Sequence, residues 1–235
     1  MELKEMLIDN GTEKIYATDQ EEQVVVEFQN YFPFSGSGKK ERMDGKAESN
    51  NIISSALFEY LKSYNVPTYF MKKLDAKSML VNKVNSIPIV VSIWNIATGE
   101  LSKRFAFDEG KILEYPIVEM YYKNEKLKVP MINEYHAYAL GLSDRKEMGN
   151  ILRIATKVNA VLKSFFDRKN YKLVNCQIEF GKFHNQILLA DKINLDSLIL
   201  WEVNEDSSFE KYDMKGSNMK KNYKDLLDKL VKELS

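Results

Sequence analysis

The sequence predicts an α+β protein with two lobes and a cleft between them. Strand-like segments dominate the chain to about residue 95, and helices surround a hairpin in the remainder. Segregated strands and helices favour an α+β architecture over alternating parallel α/β units. We therefore expect a β-rich N-terminal lobe over residues 1–95 and a mixed α/β lobe over residues 96–235, joined as one compact unit.

Local patterns define the elements of the first lobe. Lys14–Asp19 and the β-branched run Gln23–Phe28 predict a hairpin. Apolar residues at helical spacing predict a helix from Asn50 onward, which must end before Pro67. Two further β-rich segments, 79–84 and 87–93, are expected to pair with each other around the turn between them.

The second lobe mixes strands and helices. Ile117–Tyr122 has the composition of a strand, and Ser143 is a suitable N-cap for a long helix with an apolar stripe. Segments 171–183 and 187–193 predict a hairpin, and an amphipathic helix closes the chain. A cleft between two such lobes is a common place for a ligand site.

Composition limits the classes of function. The 235 residues include 34 Lys and Arg against 34 Asp and Glu, so no net field attracts nucleic acid or an anionic membrane, and neither is an expected partner. Cys176 is the only cysteine, which excludes a disulfide framework and a cysteine zinc site, and its strand position predicts a core residue. The absence of a signal pattern and of an apolar run approaching ~20 residues predicts a cytoplasmic protein.

A collinear series of short motifs runs along the chain to about residue 205. In order and spacing this series resembles the SAICAR synthetase family. The motifs are Ile15-Tyr-Ala-Thr-Asp19, Asn50-Asn51, Ile87-Pro88, Asn95-Ile-Ala97, Leu101-Ser-Lys-Arg104, Pro130-Met-Ile-Asn-Glu134, Ile178-Glu-Phe-Gly181, Leu188-Leu-Ala-Asp191 and Leu200-Trp201.

The resemblance implies a two-lobed fold whose ATP-binding, β-rich lobe is similar to that of protein kinases. It also implies an ATP- and Mg²⁺-dependent reaction that joins the carboxylate of a phosphorylated aminoimidazole ribonucleotide to the amine of aspartate. That chemistry needs cations for phosphates and carboxylates for the metal. Since family members commonly self-associate, the resemblance further implies a homo-oligomer.

The chain departs from the family where the resemblance implies phosphate binding. In place of the family's Gly-Lys-Ala-Lys turn it has Asn10-Gly-Thr-Glu13, and a glutamate there would repel a triphosphate. The glutamate that usually follows the family's aspartate is Lys192 here. Lys14 and Lys39 are candidates to replace the lost lysines.

It also departs where the family binds its second substrate. The arginine before the Asn-Ile-Ala motif is Trp94, the serine that follows this motif is Glu100, and the arginine before Leu-Trp is Ile199. Trp94 either fills the volume of the arginine stem or offers a face on which a flat ligand stacks. Glu100 would oppose a phosphate, yet it could accept hydrogen bonds from a ribose or an amine.

The residues that remain, together with the replacements, form the candidate site. We expect a nucleotide-like small molecule to bind there, and Glu179 with Asp191 to be the acidic pair suited to a metal. No catalytic residue is assigned. The candidate ligand-binding residues are Lys83, Trp94, Glu100, Lys103, Arg104, Glu179, Asp191 and Asp196.

Three functions are compatible with this pattern. The pattern of replacements favours a family member that has lost the parent ligase reaction and binds, or sequesters, a nucleotide-like molecule. The alternative is an active ATP-dependent carboxylate–amine ligase, of purine biosynthesis or with an altered substrate, which alone would require Mg²⁺ and ATP. The second alternative is a protein-interaction or regulatory pseudoenzyme.

Overall fold

A computed structural model describes residues 2–32, 41–212 and 218–234 and confirms the predicted α+β class. The strands form two antiparallel sheets. The strands are β1 (Leu3–Asp9), β2 (Glu13–Thr18), β3 (Gln23–Phe28), β4 (Phe70–Lys73), β5 (Ser78–Asn82), β6 (Asn85–Ile96), β7 (Ile112–Tyr122), β8 (Met131–Ile132), β9 (Tyr171–Phe183), β10 (Gln186–Ala190), β11 (Leu198–Val203) and β12 (Phe209–Lys211). The helices are α1 (Lys46–Ser63), α2 (Gly99–Phe105), α3 (Glu134–Ala139), α4 (Arg145–Asp167) and α5 (Met219–Leu234).

The first sheet has the order β1-β2-β3-β5-β4. Its β2–β3 hairpin is the one that the sequence predicts, with Ile15 opposite Val26. Helix α1 packs against this sheet through Ile53 and Leu57, which are buried in the core. It ends at Ser63, ahead of Pro67, as expected.

The second sheet has the order β12-β11-β9-β6-β7-β8, and β10 pairs with β9. The predicted pairing of segment 79–84 with segment 87–93 is wrong, because β5 pairs with β3 and β4 whereas β6 pairs with β7 and β9. The backbone does not fold back after β5, since the backbone amides of Asn82 and Lys83 donate to the carbonyl oxygens of Tyr69 and Glu22. The chain therefore changes sheets between β5 and β6.

The elements of the second lobe follow the sequence pattern. The β9–β10 hairpin, α4 and α5 lie where they were predicted, and Cys176 is buried in the core. The N-cap of α4 is Asp144 rather than Ser143, because Asp144 accepts from the Glu147 amide at 2.8 Å and Glu147 accepts from the Asp144 amide at 3.1 Å. The described helices include none long and apolar enough to cross a membrane.

The two sheets share one hydrophobic core and meet along β10. The Tyr69 amide donates to the Leu189 carbonyl, and the Leu189 amide donates to the Pro67 carbonyl, both at 2.9 Å. Helix α4 covers one face of the second sheet, where Val91, Met120 and Ile178 are buried. The opposite face of that sheet carries the polar side chains of the candidate site.

Candidate functional site

Strand register places a set of polar residues on one face of the second sheet. Glu119 and Tyr121 alternate along β7, so their side chains share the face opposite Met120, and Lys123 follows directly after the strand. Val90 lies between Tyr121 on β7 and Glu179 on β9. The face therefore brings groups from distant parts of the chain into adjacent rows.

Glu179 lies at the centre of an ion-pair cluster on this face. The Nζ atom of Lys123 donates to both carboxylate oxygens of Glu179, at 2.7 and 2.6 Å. Asp191 follows directly after Ala190, which pairs with Glu179 across the β9–β10 hairpin. The backbone of Asp191 is left-handed, with φ of 62°, a conformation often found at functional sites.

The first sheet contributes Glu13 to the same cluster. The side chain of Asn10 closes the β1–β2 turn by accepting from the amides of Thr12 and Glu13, at 3.0 and 2.8 Å. Glu13 is only 4% exposed, and its Oε1 lies 3.4 Å from Nζ of Lys192. Lys192 Nζ also lies 3.7 Å from Oδ1 of Asp191. We call the set Glu13, Lys123, Glu179, Asp191 and Lys192 the cleft cluster.

Burial and neighbouring charge set the protonation of the cleft cluster. Burial, reinforced by the charge of Asp191, raises the pKa of Glu179 to about 7. Although burial favours its neutral acid, the charges of Lys192 and Lys123 lower the pKa of Asp191. Burial also raises the pKa of Glu13, against the opposing charge of Lys192. The ionised form of each carboxylate is therefore stabilised by a neighbouring lysine.

The acidic pair fits a hard divalent cation. Glu179 and Asp191 present oxygen donors side by side, and the mutual repulsion that raises the pKa of Glu179 would be relieved by a cation between them. In the described ranges no three His, Cys, Asp or Glu side chains form a metal-binding group. The pair would therefore hold Mg²⁺ together with phosphate oxygens and water.

The side chain of Asp196 is buried in an ion pair with Lys46. Its Oδ2 is 2.6 Å from Nζ of Lys46, and its Oδ1 accepts from the hydroxyl of Tyr223 at 2.9 Å. Both members of the Lys46–Asp196 pair are buried. Asp196 therefore links α1 to α5.

Trp94 and Arg104 meet at a second group, centred on Glu119. Trp94 Nε1 donates to Glu119 Oε2 at 3.1 Å, the Tyr121 hydroxyl donates to the same oxygen at 2.8 Å, and Arg104 pairs with the other oxygen. Trp94 and Ile199 both lie opposite Asn175, so the two positions at which the family carries arginine share one transverse row.

Three other predicted site residues, Lys83, Glu100 and Lys103, are exposed. Glu100 and Lys103 pair with each other at 2.8 Å on the exposed surface of α2. Lys83 is exposed in the connection between the two sheets. Lys14 follows Glu13 on β2 and therefore points to the other face of the first sheet. Lys39 lies outside the described residues.

Sequence reasoning missed Lys123 and Glu119, which the structure brings into the site, and Lys46, which it buries with Asp196. Glu119 carried a usable signal, since it alternates with Tyr121 at period two along one strand, and Lys123 continues that spacing one residue beyond the strand. Lys46 precedes the first predicted residue of its helix and showed no such signal. The contact between Glu13 and Lys192 depends on how the two sheets meet, which no local pattern indicates.

Two antiparallel sheets that meet beside a cluster of lysines and carboxylates agree with the fold that the sequence motifs imply. The chain belongs to the SAICAR synthetase family: a family model of that description matches residues 8–231.

Relatives and solved structures agree over nearly the whole chain. The phosphoribosylaminoimidazole-succinocarboxamide synthase of Clostridium botulinum is 36% identical over 234 residues, covering 99% of this chain and 100% of the relative. The crystal structure of the Ehrlichia chaffeensis enzyme of that name is similar with a TM-score of 0.86 and 31% identity, covering 96% of this chain and 98% of that one. A SAICAR synthetase solved in complex with ADP is similar with a TM-score of 0.84 and 33% identity, covering 96% and 97%.

Proposed function

We propose that this protein is an ATP-dependent ligase that joins a carboxylate to an amine at the cleft cluster. The observation that carries the proposal is the placement of Glu179 and Asp191 side by side with Lys123 and Lys192, at the junction of the two sheets. Similar proteins are named as synthases of this kind, and one similar structure holds ADP. Both support the ligase over a purely structural role.

The charges of the site are consistent with nucleotide bound together with a divalent cation. Seven ionisable groups lie in or next to the cleft cluster, and with all of them ionised one negative charge is in excess: Lys46, Lys123 and Lys192 against Glu13, Glu179, Asp191 and Asp196. A triphosphate alone would be repelled. Mg²⁺ held by Glu179 and Asp191 would reverse that sign and polarise the transferred phosphoryl group.

In the proposed reaction a carboxylate oxygen of the substrate attacks the γ-phosphorus of ATP, and the bond from that phosphorus to the bridging oxygen breaks to give ADP and an acyl phosphate. The amine then attacks the acyl carbon and expels phosphate, so that an amide forms and the amine loses a proton. The chain's own residues would orient and neutralise the phosphates, chiefly through the Lys123 and Lys192 ammonium groups.

The direct test is ADP and phosphate release with ATP, Mg²⁺ and pairs of a carboxylate and an amine, beginning with carboxyaminoimidazole ribonucleotide and aspartate. We expect Asp191→Asn to lower the rate by about 100-fold or more, whereas Asp228→Asn, at an exposed pair on α5, should leave it unchanged. No turnover with any pair, or equal rates for the two variants, would overturn the proposal.

A second candidate is a protein that binds a nucleotide-like molecule without the parent reaction. The buried carboxylate of Glu13 favours it, because this group lies where the resemblance implies a phosphate-binding lysine. A ligand at 100 times its dissociation constant adds ~2.7 kcal/mol to stability and raises the melting temperature. A rise with ADP-ribose-type compounds or cyclic nucleotides, but none with Mg-ATP and no ADP formed, would support the binder over the ligase.

A further inference from the structure

The ion pair between Glu13 and Lys192 spans the junction of the two sheets. Glu13 begins β2 on the first sheet, and Lys192 follows the hairpin of the second sheet. Their charged atoms lie 3.4 Å apart, and their side chains are 5% and 14% exposed. Such a pair, mostly removed from water, is far less screened than a surface ion pair.

The same two positions are departures from the family. Where the resemblance implies a lysine the chain has Glu13, and where it implies a glutamate the chain has Lys192. Taken singly, each looks like the loss of a functional group. Because the two side chains contact each other, the two replacements amount to one reversal of charge within a pair. This reversal keeps a lysine at the junction but places it on the side of the second sheet instead of the first.

Lys192 is placed to serve an anionic ligand. Its Nζ lies between Glu13 Oε1 at 3.4 Å and Asp191 Oδ1 at 3.7 Å, and these are longer than an ordinary charge-assisted hydrogen bond. Although burial disfavours the ammonium, Asp191, Glu13 and Asp196 raise the pKa of Lys192, so the group stays charged at neutral pH. Glu13 Oε1 is buried, and no residue in the described part of the chain donates a hydrogen bond to it.

We propose that Lys192 is the lysine that binds the nucleotide phosphates in this protein, and that Glu13 is its counter-ion when no nucleotide is bound. A phosphate that enters the junction competes with the Glu13 carboxylate for the Lys192 ammonium. This inference rests on the proposed function, since it assumes that a nucleotide binds at the cleft cluster. It also explains how a chain without the family's turn lysines retains a cation there.

The test measures Mg-ADP binding by calorimetry for the full chain and four variants. Lys192→Gln should weaken binding by about 10- to 100-fold, the loss of one charge-assisted hydrogen bond. Glu13→Gln should tighten binding several-fold, because it removes the competing carboxylate. The reversed pair, Glu13→Lys with Lys192→Glu, should bind at least about tenfold more tightly than Lys192→Gln. Lys224→Gln, at an exposed pair on α5, is the matched control and should bind as the wild type does.

Urea unfolding of the ligand-free variants tests the pair itself. Each single reversal, Glu13→Lys or Lys192→Glu, should destabilise the protein, and the double reversal should recover most of that loss. Failure of the wild type to bind Mg-ADP would overturn the proposed function together with this assignment. Wild-type binding that Lys192→Gln leaves intact, or a double reversal no more stable than either single one, would overturn the assignment alone.

Discussion

The ammonium nitrogen of Lys46 lies 2.6 Å from Oδ2 of Asp196, with side chains 0% and 2% exposed. The rings of Phe32 and Tyr223 flank the same ammonium at 5.4 and 5.3 Å. Because Lys46 begins α1 and Tyr223 belongs to α5, the pair links the helix of the first sheet to the last helix of the chain. The segment after β10, which carries Asp191 and Lys192, is anchored at its Asp196 end by this contact.

We expect Lys46→Met to destabilise the fold strongly, because it leaves the Asp196 carboxylate buried without a partner. Removing one member of a buried ion pair costs ~3–5 kcal/mol, measured by urea unfolding. Lys224→Met, which removes an exposed pair with Asp228, should cost about 0.5 kcal/mol or less. Adding Asp196→Asn to Lys46→Met should recover part of the loss. Equal effects of the two single variants would show that the buried pair contributes nothing.

Much of the fold could be predicted from local pattern, because hydrophobic periodicity reports which face of an element is buried. The alternation along β9 and the apolar stripe of α4 are such cases. The partner of β6 could not be predicted in this way. Its buried Ile89, Val91 and Ile93 fit any sheet with an apolar face, and only the packing against α4 selects the second sheet.

The residues of the candidate site also divide into those that the sequence indicates and those whose contacts depend on the tertiary fold. Glu179 and Asp191 are candidates because their motifs resemble the family's acidic pair, and the hairpin brings them together because Ala190, next to Asp191, pairs with Glu179. The contact of Glu13 with Lys192 requires the junction of two sheets, so from the sequence both residues are read as losses. Asp196 is a candidate because it is among the residues retained from the family, whereas its burial with Lys46 depends on α5, at the far end of the chain, and no local pattern indicates it.

Gly181 is expected to be essential to the junction of the sheets. A Cβ atom there would lie 2.4 Å from Val84 Cγ2 and 2.7 Å from Val84 Cβ, closer than any real contact. Gly181→Ala must therefore displace Val84 and should destabilise the protein by ~1–3 kcal/mol. Gly149→Ala is the matched control: it lies within α4 with nothing within 4 Å, so it should stabilise by ~0.5–1 kcal/mol. The same sign for both variants in thermal or urea unfolding would contradict this account.

Trp94 provides a spectroscopic test of where a ligand lies. It is half-buried beside Glu119, whereas Trp201, the only other tryptophan in the chain, is buried. A flat ligand stacked on Trp94 would quench the fluorescence of this residue. Ligand-induced quenching should therefore be absent in Trp94→Phe and present in Trp201→Phe. We expect this quenching from the carboxylate substrate and not from Mg-ADP, whose proposed site is the cleft cluster. Quenching lost in Trp201→Phe instead would place the ligand elsewhere.

Glu179 should make the stability of the protein fall as the pH rises towards neutrality. Burial and the charge of Asp191 raise its pKa from 4.5 to about 7, so between these values the folded protein holds a proton that the unfolded chain has released. The free energy of unfolding must then decrease with increasing pH across that window, by ~1–3 kcal/mol in total. The lowered pKa of Asp191 acts below its ordinary value of 3.8 and so outside the window. Burial raises the pKa of Glu13 as well, so Glu13 contributes to the decrease in the same direction. Urea unfolding at about pH 5 to 8 should show a smaller decrease for Glu179→Gln than for the wild type, while the exposed control Asp228→Asn keeps the full decrease; parallel curves for Glu179→Gln and the wild type would refute the assignment.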